Sequence, residues 1–479
     1  MKRPIAILAA GTAVLASAAV LTPPASAATG CRVDYAVTGQ WQGGFQATVK
    51  ITNVGDALSG WSLGFDFPDA GQRLVQGWSA TWAQSGNHVA AASQGWNGSL
   101  ATGASTSIGF VGSVTGANPA PTKFALNGVA CNADPGGPSG GTGGLDQVAT
   151  AGRVQAGTDA LRFSWPGVYF EGRFRGTGVG VVLNDPAADY DVQVDGRAAS
   201  TLLHPAAGTH WVNGLTDAEH TVRLVKRNES PWATSTFGGF VAATGGAILA
   251  KPAAKSRQIE FIGDSHTAGY GNLSTTRDCT GDQVNRTTNA DQAFSALTAR
   301  GLNADYQVNA FSGRGMVRNY NGGDAGTDYR TYYDRALLAV NGDVWQKPAS
   351  WRPQVVVVGL GINDFSTAVN PGEPWTPESL VAGYKTAYHG FLDKLRARYG
   401  NDTTIVVIAT QMSNTTAFLD ATRQIVAERN SRGDTRVRHW YQDNSGLDLL
   451  GCHWHPSAHD HQLIAQRLSA FIATLPLTW

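Results

Sequence analysis

The sequence has no surplus of either charge. Lysine and arginine together number 36, aspartate and glutamate also 36, and no Lys/Arg-rich run appears. The basic footprint of a nucleic-acid binder is therefore missing. Long apolar runs are missing too. After Leu21 nothing approaches the ~18 consecutive apolar residues that a membrane helix requires, so no membrane partner is expected. There is no H-E-x-x-H string of a zinc hydrolase. Cysteine is limited to Cys31, Cys131, Cys279 and Cys452. Outside the cell that even count favours two disulfides over free thiols, and sequence order permits three pairings.

What is abundant points elsewhere. The 479 residues include 58 glycines and 14 tryptophans, which suits turn-rich β structure and flat apolar surfaces for sugar rings. The length allows two or three domains. Residues 1–27 read as an export signal: Lys2 and Arg3, then an apolar stretch from Ile5 to Leu21, then Ala25-Ser26-Ala27 as a small-residue cleavage site. The mature protein is expected to be secreted and extracellular.

Asp134 to Gly144 is almost wholly Gly, Pro, Ser and Thr and cannot build a core, so residues 133–144 are assigned as a flexible linker. Residues 28–132 before it, framed by Cys31 and Cys131, carry short alternating runs such as Phe45 to Ile51 and predict a β-sandwich. Residues 145–254 are β-rich again, with strands predicted at Leu161–Trp165, Tyr169–Phe174, Val179–Leu183, Tyr190–Val194 and His220–Val225, and read as a second, jelly-roll-like sandwich. From 255 to 479 the rhythm changes. Apolar runs at Ile259–Ile262, Tyr306–Ala310, Val355–Val358 and Ile405–Ile408 suit buried parallel strands. Helices are predicted between them, one capped by Thr376 with Pro377 at its first position. Another runs from Ser457 to about Leu475 with Asp460 as capping-box partner. This alternation predicts an α/β domain whose site lies at the carboxyl ends of the strands.

Three short strings sit at those ends and a fourth lies farther on. Gly263-Asp264-Ser265 follows the first strand, Ser312-Gly313 the second, Gly361-Ile362-Asn363-Asp364 the third, and His455 lies near the chain end. In this order they resemble the four blocks of the SGNH (GDSL-type) hydrolases. By that resemblance Ser265 is the nucleophile and His455 its general base. The backbone N–H groups of Ser265 and Gly313 and the Asn363 side chain then form the oxyanion hole, with Gly315 a competitor for the place of Gly313. The chemistry fits, because serine attacks an ester only beside a base and the oxyanion needs donors set in advance. Asp264 and Asp364 read as loop-bracing residues. His453, His455, His459 and His461 cluster in sequence, but no recognised zinc spacing accompanies them; no metal and no other cofactor is expected.

Longer strings narrow the family. Ile262 to Asn272, Ser312 to Tyr320, Leu360 to Ser366 and Trp454 to Ser457, following a β-sandwich, resemble carbohydrate esterase family 2. That likeness implies deacetylation of acetylated hemicellulose such as xylan or glucomannan. One position departs from the wider pattern. The aspartate that normally stands two or three residues before the histidine is replaced by His453 and Cys452. A Ser265–His455 dyad is therefore predicted, with a main-chain oxygen orienting His455. The departure also keeps a second reading open, a non-catalytic carbohydrate-binding protein with a degenerate hydrolase domain.

Residues 31–131 resemble a family 2 carbohydrate-binding module in Gly39–Phe45, Gly60–Phe65, Gly77–Ala80 and Gly95–Ser99. The resemblance implies Trp41, Trp78 and Trp96 on one exposed face, stacking on a cellulose surface, and Trp61 in the core. With each pair kept inside its own domain, the expected disulfides are Cys31–Cys131 and Cys279–Cys452, the latter joining the loop after the nucleophile to the loop that carries the base.

Overall fold

A computed structural model describes residues 30–53, 56–121, 123–131, 144–157 and 159–479. The candidate export signal and nearly all of the candidate linker lie outside these residues. The chain divides into two compact units, Met1–Gly136 and Gly137–Trp479.

Among the described residues the first unit is two antiparallel sheets packed face to face. One is ordered Cys31–Trp41, Gly44–Asn53, Ser105–Val114, Gln72–Trp78; the other Thr81–Ser85, His88–Ala92, Ser62–Asp66, Phe124–Leu126, Val129–Ala130. Alternation decides which side chains enter: Phe45, Ala47, Val49 and Ile51 are fully buried, while the residues between them are not. They meet Phe65, Phe67 and Phe110, whose rings pack mostly edge to face. Trp61 belongs to this core and donates its indole N–H to Asn97 O at 2.8 Å. Cys31 and Cys131 are joined.

The second unit begins with a β-rich domain in which nine strands form one hydrogen-bonded sheet. Two segments predicted as separate strands, Tyr169–Phe174 and Val179–Leu183, are one 16-residue strand, Tyr169–Asn184, pairing along its whole length with Gly208–Lys226. The intervening Gly-Thr-Gly reads as a turn in the sequence. In the fold it is a bulge between Gly176 and Gly178, with Gly176 at φ +132°, a conformation only glycine adopts without strain.

The remainder is a parallel sheet ordered Ala304–Ala310, Arg257–Gly263, Val355–Gly359, Thr404–Thr410, Val437–Gln442. The last strand, Val437–Gln442, has no counterpart among the predicted ones, because its Arg-His-Trp-Tyr run is only half buried and lacks an apolar stretch. In chain order the arrangement is 2-1-3-4-5. The order reverses at the first strand, so its carboxyl end is where such sheets bind ligands. Thr376 caps the helix Pro377–Tyr399, and Ser457 caps Ala458–Ile472 in a capping box with Asp460.

The two domains of this unit share one interior. Arg153 of the β-rich domain is fully buried and pairs with fully buried Glu260 at 2.8 Å. Arg223 reaches Asp291 at 2.8 Å and the Tyr306 hydroxyl at 2.6 Å, and Trp165 donates to Arg335 O at 2.9 Å.

Candidate active site

The three neighbouring strands Arg257–Gly263, Ala304–Ala310 and Val355–Gly359 end side by side, with Gly263 registered against both Ala310 and Gly359. Each continues into one of the candidate strings, so sequence positions about fifty residues apart converge. Ser265 opens the four-residue helix Ser265–Ala268, capped by Asp264, whose carboxylate accepts from His266 N–H. His455 arrives from the loop before the last helix, and its Nε2 lies 2.8 Å from Ser265 Oγ.

His455 Nδ1 faces two carbonyl oxygens, Cys452 O at 2.9 Å and His453 O at 3.2 Å, and among the described residues no carboxylate reaches it. His453 does not orient the base with its side chain. Its ring bonds instead to the Tyr270 hydroxyl at 3.1 Å and to Cys279 O at 3.0 Å. The Cys279–Cys452 disulfide ties the carbonyl-bearing residue to the loop after Ser265. Burial depresses the His455 pKa to about 4, against the two carbonyls that favour its protonation. The His455 imidazole is therefore neutral at ordinary pH.

The N–H groups of Ser265 and Gly313 donate no hydrogen bond among the described residues. Gly313 has φ +77° and Gly315 gives its N–H to Asn319 Oδ1 at 3.2 Å, which leaves Gly313 the free donor of the two. The Asn363 amide donates to Arg314 O at 3.0 Å and to Asp264 Oδ2 at 3.3 Å. Asp264 is buried, and that burial pushes its pKa up to about 8. Asp364 accepts from the N–H groups of Met316, Val317 and Arg318, bracing the loop that carries Gly313.

Beside the dyad lies a cleft of about 510 Å³ lined by His266, Ile362, Gln411, Asn414, Asn444 and Trp454, among others. Trp454 is 65% exposed, with the Arg277 guanidinium 3.8 Å from its ring centre. The Tyr270 ring packs 4.5 Å from that of His455. Neither Trp454 nor Tyr270 was singled out from the sequence, although Trp454 adjoins the candidate base. Of the clustered histidines, His461 is buried and accepts from Phe294 N–H at 3.0 Å. His459 lies with Asp448 and Asp460, but both Asp460 oxygens already accept backbone N–H groups.

Three family models match the chain: "Cellulose binding domain" over residues 31–131, "Carbohydrate esterase 2 N-terminal" over 150–252, and "GDSL-like Lipase/Acylhydrolase family" over 261–466. An acetylxylan esterase / glucomannan deacetylase from Cellvibrio japonicus is 40% identical over 313 residues, 64% of this chain and 83% of that protein. The chain belongs to carbohydrate esterase family 2. A solved carbohydrate esterase, whose active site is described as having divergent catalytic and non-catalytic binding functions, superposes with a TM-score of 0.63 at 37% identity. The match covers 69% of this chain and 98% of that one. Endoglucanase CelA from Streptomyces lividans is 63% identical over 132 residues, 28% of this chain and 29% of that one. The chain is thus a carboxylic ester hydrolase of the SGNH type joined to a cellulose-binding domain.

In the binding domain of this family 2 esterase, Trp41 and Trp78 stand on the outer face of one sheet. Trp41 is registered opposite Gly44 and Trp78 opposite Gly109. Gly44 and Gly109 alternate with the core residues Phe45 and Ala47 and Ile108 and Phe110, so the two indoles that cover them lie on the face away from the core. A Cβ on Gly44 would meet the Trp41 ring at 2.4 Å, and one on Gly109 the Trp78 ring at 2.2 Å. The missing side chains let each indole lie flat on the sheet. Trp96 is 71% exposed on a loop that Asn97 ties to Ser79 O at 2.8 Å, next to Trp78.

Proposed function

We propose that this family 2 esterase removes O-acetyl groups from plant cell-wall polysaccharide, acetylated xylan or glucomannan, while its first domain holds it on cellulose outside the cell. The observation that carries the reading is the 2.8 Å contact between Ser265 Oγ and His455 Nε2, with free backbone donors at Ser265 and at Gly313, just past the end of the neighbouring strand. His455 Nε2 takes the hydroxyl proton as Oγ attacks the acetyl carbonyl carbon. The resulting oxyanion accepts from the N–H groups of Ser265 and Gly313. Asn363 joins them by exchanging its 3.3 Å bond to Asp264 for the oxyanion. Collapse breaks the ester C–O bond, and the sugar alkoxide leaves with the proton held on His455. Water, deprotonated by the same nitrogen, then attacks the acetyl-Ser265 ester and releases acetate, restoring the serine.

The absent carboxylate has a defined consequence. Imidazolium formed in the transition state is stabilised by two carbonyl dipoles and not by a full negative charge. The cleft beside the dyad, with exposed Trp454 and the amides of Gln411, Asn414 and Asn444, suits a neutral sugar chain: the ring offers a stacking face and the amides bond hydroxyls. On the first domain, Trp41, Trp78 and Trp96 supply the flat aromatic surface for cellulose.

The test is acetate release from 4-nitrophenyl acetate, acetylated xylan and acetylated glucomannan by the purified chain. Release from the polymers is the expected result. A folded protein that binds these polymers and releases no acetate would leave the non-catalytic binding reading in its place.

A further inference from the structure

Glu229 belongs to the β-rich domain and not to the hydrolase fold, three residues beyond the strand Gly208–Lys226. The chain that delivers it is fixed at every step. The fully buried Lys226 ammonium donates to Asp185, Ser230 and Ser235 at 3.1, 2.6 and 2.9 Å. Arg227 O accepts from Ala290 N–H at 2.8 Å, and Asn228 Oδ1 accepts from Asp189 N–H at 2.8 Å. From this base the Glu229 carboxylate crosses to the hydrolase domain and receives two hydrogen bonds from one residue. Ser312 gives its backbone N–H to Oε1 at 2.7 Å and its hydroxyl to Oε2.

Ser312 immediately precedes Gly313, whose carbonyl accepts from Tyr320 N–H at 2.9 Å. The peptide that presents the Gly313 N–H is therefore gripped on both sides, on one by its own loop and on the other by a different domain. We propose that Glu229 is a positioning residue for the oxyanion hole, so that the β-rich domain completes the esterase site and is not an appendage to it. A donor aimed at a developing oxyanion is effective only when its place is set beforehand. A displacement of about 1 Å can cost on the order of 10²-fold in rate.

The clamp uses both carboxylate oxygens as acceptors: Oε1 must accept the Ser312 N–H, and the Ser312 hydroxyl would have to turn round from donor to acceptor to meet anything but an oxygen acceptor at Oε2. A protonated acid or a glutamine offers one acceptor and one donor. Among the described residues no cation pairs with Glu229. The titratable groups whose protons feel its charge are Tyr270 and Asp264, both raised first by burial and secondarily by the Glu229 charge. Burial pushes the Glu229 carboxyl up to about 6, against the two Ser312 bonds that favour its charge, whereas His455 sits at about 4. As pH falls the clamp therefore protonates before the base does, and the acid limb of kcat belongs to Glu229.

The inference rests on the esterase reading. Its test is kcat and KM of the full chain on 4-nitrophenyl acetate, from about pH 4 to about pH 8, for wild type, Glu229→Gln and Ser312→Ala. For Glu229→Gln a fall in kcat of at least about tenfold is expected, with KM within about twofold, since a misplaced oxyanion donor acts on the transition state. The acid limb should move from about 6 toward about 4, the values of the two groups. Ser312→Ala, which keeps the carboxylate and one bond, should lower kcat less and leave the limb in place. Wild-type kcat with an unmoved limb in Glu229→Gln would overturn the proposal. So would a loss that a melting curve accounts for wholly by unfolding. Should Glu229→Gln not fold, wild-type kcat in Ser312→Ala is the overturning result. A wild-type protein inert at every pH would instead overturn the esterase reading itself.

Discussion

His455 holds its Nε2 2.8 Å from Ser265 Oγ while its far nitrogen rests on carbonyls of Cys452 and His453. A main-chain acceptor fixes the tautomer as well as a carboxylate would, but supplies less charge to the imidazolium. His455→Ala is accordingly expected to lower kcat/KM by more than about 10³-fold, since the nucleophile then has no base. His453→Ala loses the contacts to Tyr270 and Cys279 O but keeps the carbonyl, and should cost less than about tenfold, or 1.4 kcal/mol. Neither Asp443, which accepts from Ser445 N–H at 2.9 Å, nor Asp448, which accepts from Leu450 N–H at 2.9 Å, reaches His455, so Asp443→Ala and Asp448→Ala should leave activity nearly unchanged. The measurement is kcat/KM on 4-nitrophenyl acetate for each folded variant. Equal losses in His453→Ala and His455→Ala would place His453 in the catalytic set. At this scale the sequence was readable wherever a residue sits in a short string, at a strand end for Ser265 and Asn363 and just before the last helix for His455. The orienting oxygen belongs to the backbone, so only a gap pointed to it, the missing aspartate at 452 and 453. Glu229 had no signal: it lies 83 residues from Ser312 at the end of an ordinary strand.

At the scale of elements, the parallel strands were legible because they are buried on both faces and read as unbroken apolar runs, Val355 to Val358 above all. Val437–Gln442 stands at the sheet edge, half exposed, and its composition hides it. Tyr169–Asn184 was split in two because Gly-Thr-Gly marks a turn as well as a bulge, and only the partner strand decides between them. The loops hold the chemistry. The Cys279–Cys452 bond links two of them across 173 residues. Replacing both cysteines by serine should destabilise the second unit by about 2–5 kcal/mol. It should also lower kcat on the soluble ester, because Cys452 O orients the base. Cellulose adsorption, carried by the other unit, should not change. Unaltered kcat in the folded double variant would show that the bond does not hold the base loop.

At the scale of the whole molecule, two compact units divide the work, and each carries its own core and its own disulfide. The division was plain in the sequence because a stretch of Gly, Pro, Ser and Thr cannot contribute to either core. Trp78→Ala should therefore weaken adsorption to microcrystalline cellulose and leave turnover of a small soluble ester unchanged; unchanged adsorption would remove Trp78 from the binding face. The most direct measurement joins the two functions. Wild type and Ser265→Ala are compared for acetate released from acetylated xylan or glucomannan and for retention on cellulose. The account predicts that Ser265→Ala is retained like wild type and releases no acetate above background. Release near the wild-type rate by the variant would contradict it.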